Sequence, residues 1–202
     1  QLYYVFEDDP ETGNGVPVLD ADGNQETTND WTETGRAFTD DSSIPDLIGS
    51  VTNRFSYKGL TLNVLFTFSQ GGKVLDYGYS AMMSSGDFGE SHHIDQLKAW
   101  KQPGDITTVP RLENGNSTQV EAQTTRFLTD ASFLSLRNIN LSYNFDKPVL
   151  DRLGLSNLSI FVSGENLWFK SARQGLNPQY NLAGTGSGDD YNPNKIFSIG
   201  LN

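Results

Sequence analysis

The sequence predicts an all-β chain of antiparallel strands, and three observations predict it. From Arg137 onward the residues alternate, with Ile139, Leu141, Tyr143 and Phe145 on one face and Asn138, Asn140, Ser142 and Asn144 on the other. The stretch from Asn157 to Phe169 repeats the pattern, Leu158, Ile160, Val162 and Trp168 against Ser159, Ser163 and Glu165. Successive side chains of a strand point to opposite faces, so each stretch is a strand with one apolar and one polar side. Third, the connections between such stretches are alternately long and short. A soluble sandwich turns its apolar face inward, whereas a transmembrane barrel turns it outward to lipid and keeps a polar lumen. The faces alone leave both architectures open.

Composition narrows the classes. The 202 residues include 20 Gly, 12 Phe, 8 Tyr and 3 Trp, yet only 36% are hydrophobic. No apolar run approaches the roughly 20 residues of a membrane-spanning helix, which excludes a helical membrane protein but not a barrel, where every second residue suffices. Without cysteine there is no disulfide framework and no thiolate metal site. The net charge of −11 is local: Glu7 to Asp41 holds 11 of the 25 acidic residues and one basic residue, Arg36. Phosphate-backbone binding needs clustered Lys and Arg, and there is no such cluster, so nucleic acid is not expected as a partner. The acidic stretch reads as a solvated loop, one expected to repel strongly anionic ligands over the nanometre or so that salt leaves unscreened.

Taken in order, Leu2 to Phe6 reads as a short strand, and Glu7 to Ser43 as a long loop rich in Asp, Asn, Gly and Thr. Within it, Asp20-Ala21-Asp22-Gly23-Asn24 resembles the front of a calcium loop, but the closing Glu and flanking helices are missing, so a tight turn is expected. Asp46 to Tyr57 alternates, with Leu47, Val51, Phe55 and Tyr57 opposite Ser50, Thr52, Arg54 and Ser56. Lys58-Gly59 is a two-residue hairpin turn. Leu60 to Phe68 is its partner strand, with Leu65 the one apolar residue on the polar face.

Ser69 to Arg126 is a very long connection, of a length that signals either a functional loop or a wrong assignment of elements. Ser91 is the expected cap of a short helix carrying Ile94, Leu97 and Trp100, and His92 and His93 read as surface histidines without a third metal ligand at matched spacing. Between the two best strands, Pro148 suits a first helical position and Gly154 a C′ position, predicting a helical turn or two. Lys170 to Lys195 is another Gly/Asn/Asp-rich loop, and Ile196 to Asn202 a last strand with Phe197, Ile199 and Leu201 on one face. Long loops alternating with short turns are the habit of outer-membrane barrels, and Trp168, Phe169, Phe55 and Tyr57 at strand ends suit aromatic girdles. One irregularity stands out. Leu134 and Leu136 are apolar on the face that is polar from Asn138 onward, which predicts a bulge near Leu136 or leucines packed inside a barrel.

Seven stretches stand out as a set: Ser43 to Gly59 (SIPDLIGSVTNRFSYKG), Gly71-Gly72-Lys73, Trp100 to Arg111 (WKQPGDITTVPR), Asp130 to Phe145 (DASFLSLRNINLSYNF), Leu158 to Leu167 (LSIFVSGENL), Gly175 to Pro178 (GLNP) and Phe197 to Asn202 (FSIGLN). In this order and spacing the set resembles the C-terminal part of the SusC/RagA-like TonB-linked outer-membrane transporters. It implies that residues 1–202 are a fragment: about the last six strands of a 22-stranded plugged transmembrane β-barrel, with plug and remaining barrel outside this sequence. It further implies uptake of oligosaccharides or peptides across the outer membrane, driven through TonB and lidded by a SusD-like surface lipoprotein. Asn138, Asn140, Ser142 and Ser159 would then face plug or water, and Tyr77, Tyr79, Trp100 and Tyr180 in the loops are the candidate substrate contacts. No cofactor or catalytic role is implied. An enzyme reading would need paired carboxylates such as Asp105 with Glu113 or Asp189 with Asp190, and neither a nucleophile elbow nor an H-E-x-x-H is present. The competing reading is a secreted carbohydrate-binding β-sandwich, which would bury Phe133, Ile139, Leu141, Tyr143 and Phe145 in a core.

Overall fold

The computed structural model describes residues 2–83, 89–112, 124–180, 185–186 and 193–202. Its main feature is one antiparallel sheet of five strands among the described residues: β1 (Leu47–Tyr57), β2 (Leu60–Gln70), β3 (Phe133–Asn144), β4 (Ser159–Ser171) and β5 (Ile196–Leu201). Their order across the sheet is their order in the chain, an up-and-down meander. The predicted hairpin turn is present, with positive φ at both Lys58 (45°) and Gly59 (82°), as a type I′ turn requires. Between β3 and β4 runs α1 (Lys147–Leu153), opened by Pro148 and closed by Gly154 at φ 67°, with the Leu155 amide donating to the Leu150 carbonyl.

Register carries the two faces intact across all five strands. Tyr57, Leu60, Tyr143, Ile160 and Leu201 form one cross-strand row, and Phe55, Leu62, Leu141, Val162 and Ile199 the next. Between them on the other side lies the row Ser56, Thr61, Ser142, Phe161 and Gly200, followed by Arg54, Asn63, Asn140, Ser163 and Ser198. Aromatic rings fill the gaps that glycines leave in the sheet. The Phe68 ring lies where a side chain at Gly49 would be, and the Phe161 ring where one at Gly200 would be.

Among the described residues no second layer covers the apolar face. Phe55, Ile199 and Leu201 are 62%, 74% and 71% exposed, and Leu141, in the middle of the sheet, is 40% exposed. The fully buried apolar residues lie elsewhere, in small clusters outside these rows. A sandwich would bury this face, because leaving it in water forfeits roughly 25 cal/mol for each Å². None of the five residues that the sandwich reading needs as a core is fully buried.

The register changes phase at one level of the sheet. Between β2 and β3, Leu65 pairs with Asn138 but Phe66 pairs with Leu136, so Arg137 is an extra residue. On the other side, Glu165 pairs with Asn138 and Trp168 with Leu136, and Asn166 has φ 53°. This is the bulge that the misplaced leucines require. It turns Leu136 and Leu134 onto the same face as Ile139 and Leu141, opposite Phe66 and Phe68. It also corrects the position of Phe133, which pairs with Ser69 and Ser171 and thus sits on the polar face, its ring stacked 5.8 Å from Phe169. Phe169 therefore belongs to the polar side, and of that pair only Trp168 is on the apolar side.

By contacts the chain forms two compact units. The sheet belongs to Ser42–Val74 with Thr129–Asn202, and the other unit is Gln1–Asp41 with Leu75–Leu128. In that second unit the expected strand at Leu2–Phe6 is not a wall strand. Tyr3–Tyr4 pairs with Thr27–Thr28, and Phe6–Asp8 with Gly15–Pro17, inside the loop itself. Asp20 accepts the amides of Asp22 and Asn24 at 2.9 Å each, which makes the calcium-like stretch a tight turn. The core here is Met83, Val109 and Phe127, with Leu75, Tyr79 and Ala99 against it.

Candidate functional site

Chain direction sorts the connections. The tight Lys58-Gly59 turn and the α1 connection leave from the same end of the meander. The connections following β2 and β4, and the segment preceding β1, all join the opposite end. The wall residues Asn138, Asn140, Ser142 and Ser159 share the polar face, as expected from alternation.

The candidate contact residues meet different fates. Tyr77 opens and Tyr79 lies within the six-residue helix Tyr77–Met82, whose first turn is capped by Asp76 accepting the Tyr79 amide at 2.9 Å. Tyr79 is engaged by its own loop. Its ring meets His93 edge-on at 4.8 Å and Phe127 at 6.0 Å, and its hydroxyl donates to Asp95 at 3.0 Å. Lys98 donates to the same carboxylate at 2.7 Å. These two donors, Lys98 first, hold the Asp95 carboxyl below its ordinary range, and Asp95 in turn raises Lys98. Trp100 is partly exposed and borders a shallow cleft with Thr107, Thr108 and Arg111, and its amide donates to the Val109 carbonyl. Tyr180 ends a 3-10 turn, Pro178–Tyr180, and its side chain lies outside the described residues. Tyr77, Tyr79 and Trp100 thus belong to one unit and Tyr180 to the other.

The expected helix after Ser91 is instead a 3-10 turn, Ile94–Lys98. Its cap is His93, whose Nδ1 accepts the Asp95 amide at 3.2 Å. A histidine so used is structural, and among the described residues no three His, Asp or Glu side chains cluster as a metal site would. Asp105 accepts the amides of Lys101 and Gln102 and so shapes a turn, while Glu113, Asp189 and Asp190 lie outside the described residues.

Sequence reading missed a cleft of about 240 Å³ on the polar face, at the end where β2 and β3 meet the long connections. Ser69, Lys73, Phe133, Arg137 and Gln179 are among its walls. A neighbouring cleft shares Arg137 and Gln179 and adds Arg173 and Lys195. Among the described residues no carboxylate lines either cleft. Ser69 is only 5% exposed, and its hydroxyl has no hydrogen-bond partner among the described residues. The signal available in sequence was the phase break at Leu134 and Leu136. The residue at such a break is the one a bulge re-aims, and here that residue is Arg137.

No protein-family model matches the chain. Among curated proteins, it is similar to two TonB-dependent receptors of Formosa agariphila. It is 29% identical to receptor P3 over 198 residues and 31% identical to receptor P39 over 172, covering 91% and 83% of this chain. The chain spans under a fifth of the length of each, 19% and 16%. Among solved structures, a chain of the RagAB peptide importer in its closed-closed state superposes with a TM-score of 0.72 at 23% identity, over 99% of this chain and 22% of that one. A further RagAB peptide transporter structure gives 0.70 at 24% identity. The sheet is thus a stretch of wall of the kind found in those much larger chains, and over most of its own length the chain is similar to TonB-dependent receptors, relatives that are not enzymes.

Proposed function

We propose that this chain forms the C-terminal part, residues 1–202, of an outer-membrane transporter of the SusC/RagA-like kind, a nutrient importer for oligosaccharides or peptides. One observation supports the reading above others: a five-stranded meander keeps an apolar face that none of the described residues buries, backed by a polar face of Asn, Ser and Thr. Lipid is the natural occupant of the first, and a watery lumen with its plug of the second. Open edges at β1 and β5 accord with a wall that continues on both sides in the whole protein. The long connections would face outward, where a SusD-like lipoprotein would lid the barrel and where Tyr77, Trp100 and Tyr180 could meet substrate. Tyr79, tied to Asp95 and His93, would shape the loop that presents them. TonB would supply the energy through the plug, outside this sequence. The sandwich alternative loses ground because the face it must bury is the exposed one.

The test is fractionation of cells producing the full-length protein. The expected result is a chain several times longer than 202 residues, in the outer membrane, copurifying with a lipoprotein and importing substrate only while TonB is present. A soluble species of about 22 kDa would contradict the proposal.

A further inference from the structure

The short-turn end of the sheet is apolar where a turn standing in water would be polar. The ladder runs one pair past the strands, the Phe145 amide donating to the Leu158 carbonyl, and the Phe145 ring meets Tyr143 edge-on at 5.1 Å. Beyond it stands α1, with Leu150 buried. Val149 and Leu153, one turn apart on the same side of the helix, are nevertheless 40% and 57% exposed, and Leu155 is 45% exposed. Tyr57 and Leu60 flank the hairpin turn at the same end and are also exposed, in the row that Tyr143 joins. Scattered exposed apolar residues need no explanation, but five at one rim, where an apolar sheet face ends, do. The same rim carries the opposite charge to the chain. Tyr57–Leu60 and Phe145–Leu158 hold Lys58, Lys147 and Arg152 against Asp146 and Asp151, three cations less two acids, a net of +1 in a chain of −11. All three cations are exposed, and the Lys58 ammonium lies 5.3 Å from the centre of the Tyr57 ring.

We infer that α1 and the Lys58-Gly59 turn form a phospholipid-binding rim, an inference that rests on the transporter reading and adds a headgroup site to its wall. A lipid surface is the one occupant that takes apolar groups and cations side by side. An interfacial helix sinks its apolar side roughly 5–10 Å into the boundary of acyl chains and headgroups, while long basic side chains reach back to phosphate. Val149, Leu153 and Leu155 supply the apolar side here, and Lys147 and Arg152 the phosphate contacts. Tyr57 has the form suited to that depth, an apolar ring with a polar tip, and Lys58 stands beside it. The net positive charge favours an anionic headgroup over a zwitterionic one. Short turns of such barrels lie on the periplasmic side, so the lipid belongs to the inner leaflet of the outer membrane.

The experiment uses the full-length receptor, freed of other cysteines and reconstituted in phospholipid vesicles. A fluorophore is placed at Leu153→Cys or Leu155→Cys on the rim, at Leu141→Cys within the sheet, or at Asp151→Cys on the opposite side of α1 from Leu153. Lipids brominated near the headgroup end of the acyl chain should quench the two rim labels about twofold or more beyond Asp151. Deeply brominated lipids should quench Leu141 most. In mixed vesicles, brominated phosphatidylglycerol should be enriched over brominated phosphatidylcholine about fivefold around the Leu153 label, the preference that one net near-surface charge supplies. Lys147→Gln with Arg152→Gln should remove that preference and leave the depth as it was. Should Leu153→Cys fail to assemble, Val149→Cys and Leu155→Cys carry the same predictions. Rim labels reached by aqueous iodide instead of lipid, or by neither because the rest of the protein covers them, would overturn the inference. So would a headgroup preference that is absent in the wild type or undiminished in the double variant. With Leu141 quenched, each of these results leaves the transporter reading standing. Leu141 out of reach of lipid would end that reading, and the inference with it.

Discussion

At Gly59 a single hydrogen side chain closes the β1–β2 hairpin. Its φ of 82° is open to glycine, and an added Cβ would press on the Asn144 carbonyl oxygen, which lies beside the turn where the Asn144 amide donates to Gly59. Gly59→Val should therefore cost the full-length protein about 1–3 kcal/mol, seen as a lower temperature for its unfolding shift on detergent gels. An unchanged temperature would remove the turn from the account. Asp95 gives a pH dependence. Its carboxyl is lowered by Lys98 and Tyr79, so the stability it lends the loop is fully present above the ordinary aspartate value near ~3.9 and is lost as pH falls through the lowered one. Hydrogen exchange of Ile94–Lys98, corrected for intrinsic rate, should stay constant from pH 8 to about 5 and rise on further acidification. Asp95→Asn should be unprotected to the same degree throughout. The turn at Lys58-Gly59 and the use of Pro148 and Gly154 were legible in the sequence because each depends on local backbone chemistry alone. The Tyr79–Asp95–Lys98 cluster was not, since it depends on where a loop folds back.

Among the elements, β3 is the most informative. Its period of two was plain from Asn138 to Asn144, and the cross-strand rows follow it without a fault. The same period, run backward through Arg137, misplaces Phe133, because one extra residue moves every side chain before it to the other face. Short alternating runs mislead in the other direction. Leu2–Phe6 has the composition of a strand but pairs within its own loop, where nothing apolar extends the pattern. If the proposed membrane wall holds, apolar-face and polar-face positions should respond unequally to charge. Leu141→Arg should destabilise the full-length protein by about 2–4 kcal/mol when it folds into vesicles, and Asn140→Arg by much less. Equal effects at the two positions would mean that the sheet is not lipid-facing on one side.

For the molecule as a whole, the five sheet strands among the described residues have two open edges and do not close on themselves, and the exposed apolar rows run the width of the sheet. The 202 residues produced alone should consequently aggregate in aqueous buffer and become dispersed only with detergent, readable by light scattering. A monodisperse 22 kDa solution would point back to a soluble fold. The choice between barrel and sandwich was open in the alternation itself, because both have one apolar and one polar face. What separates them is whether anything packs on the apolar side. That is a property of the fold and not of the period.

The most direct test of the lipid-facing wall is a cysteine scan of residues 134–142, which the absence of native cysteine in this chain allows, in a full-length receptor freed of any others. Each cysteine would carry a fluorophore, with brominated lipids as quencher. Quenching should be strong at Leu134, Leu136, Ile139 and Leu141 and weak at Ser135, Asn138, Asn140 and Ser142, with the phase changing across Arg137. Strong quenching at the polar positions, or none at Ile139 and Leu141, would contradict the assignment of this sheet to a membrane wall.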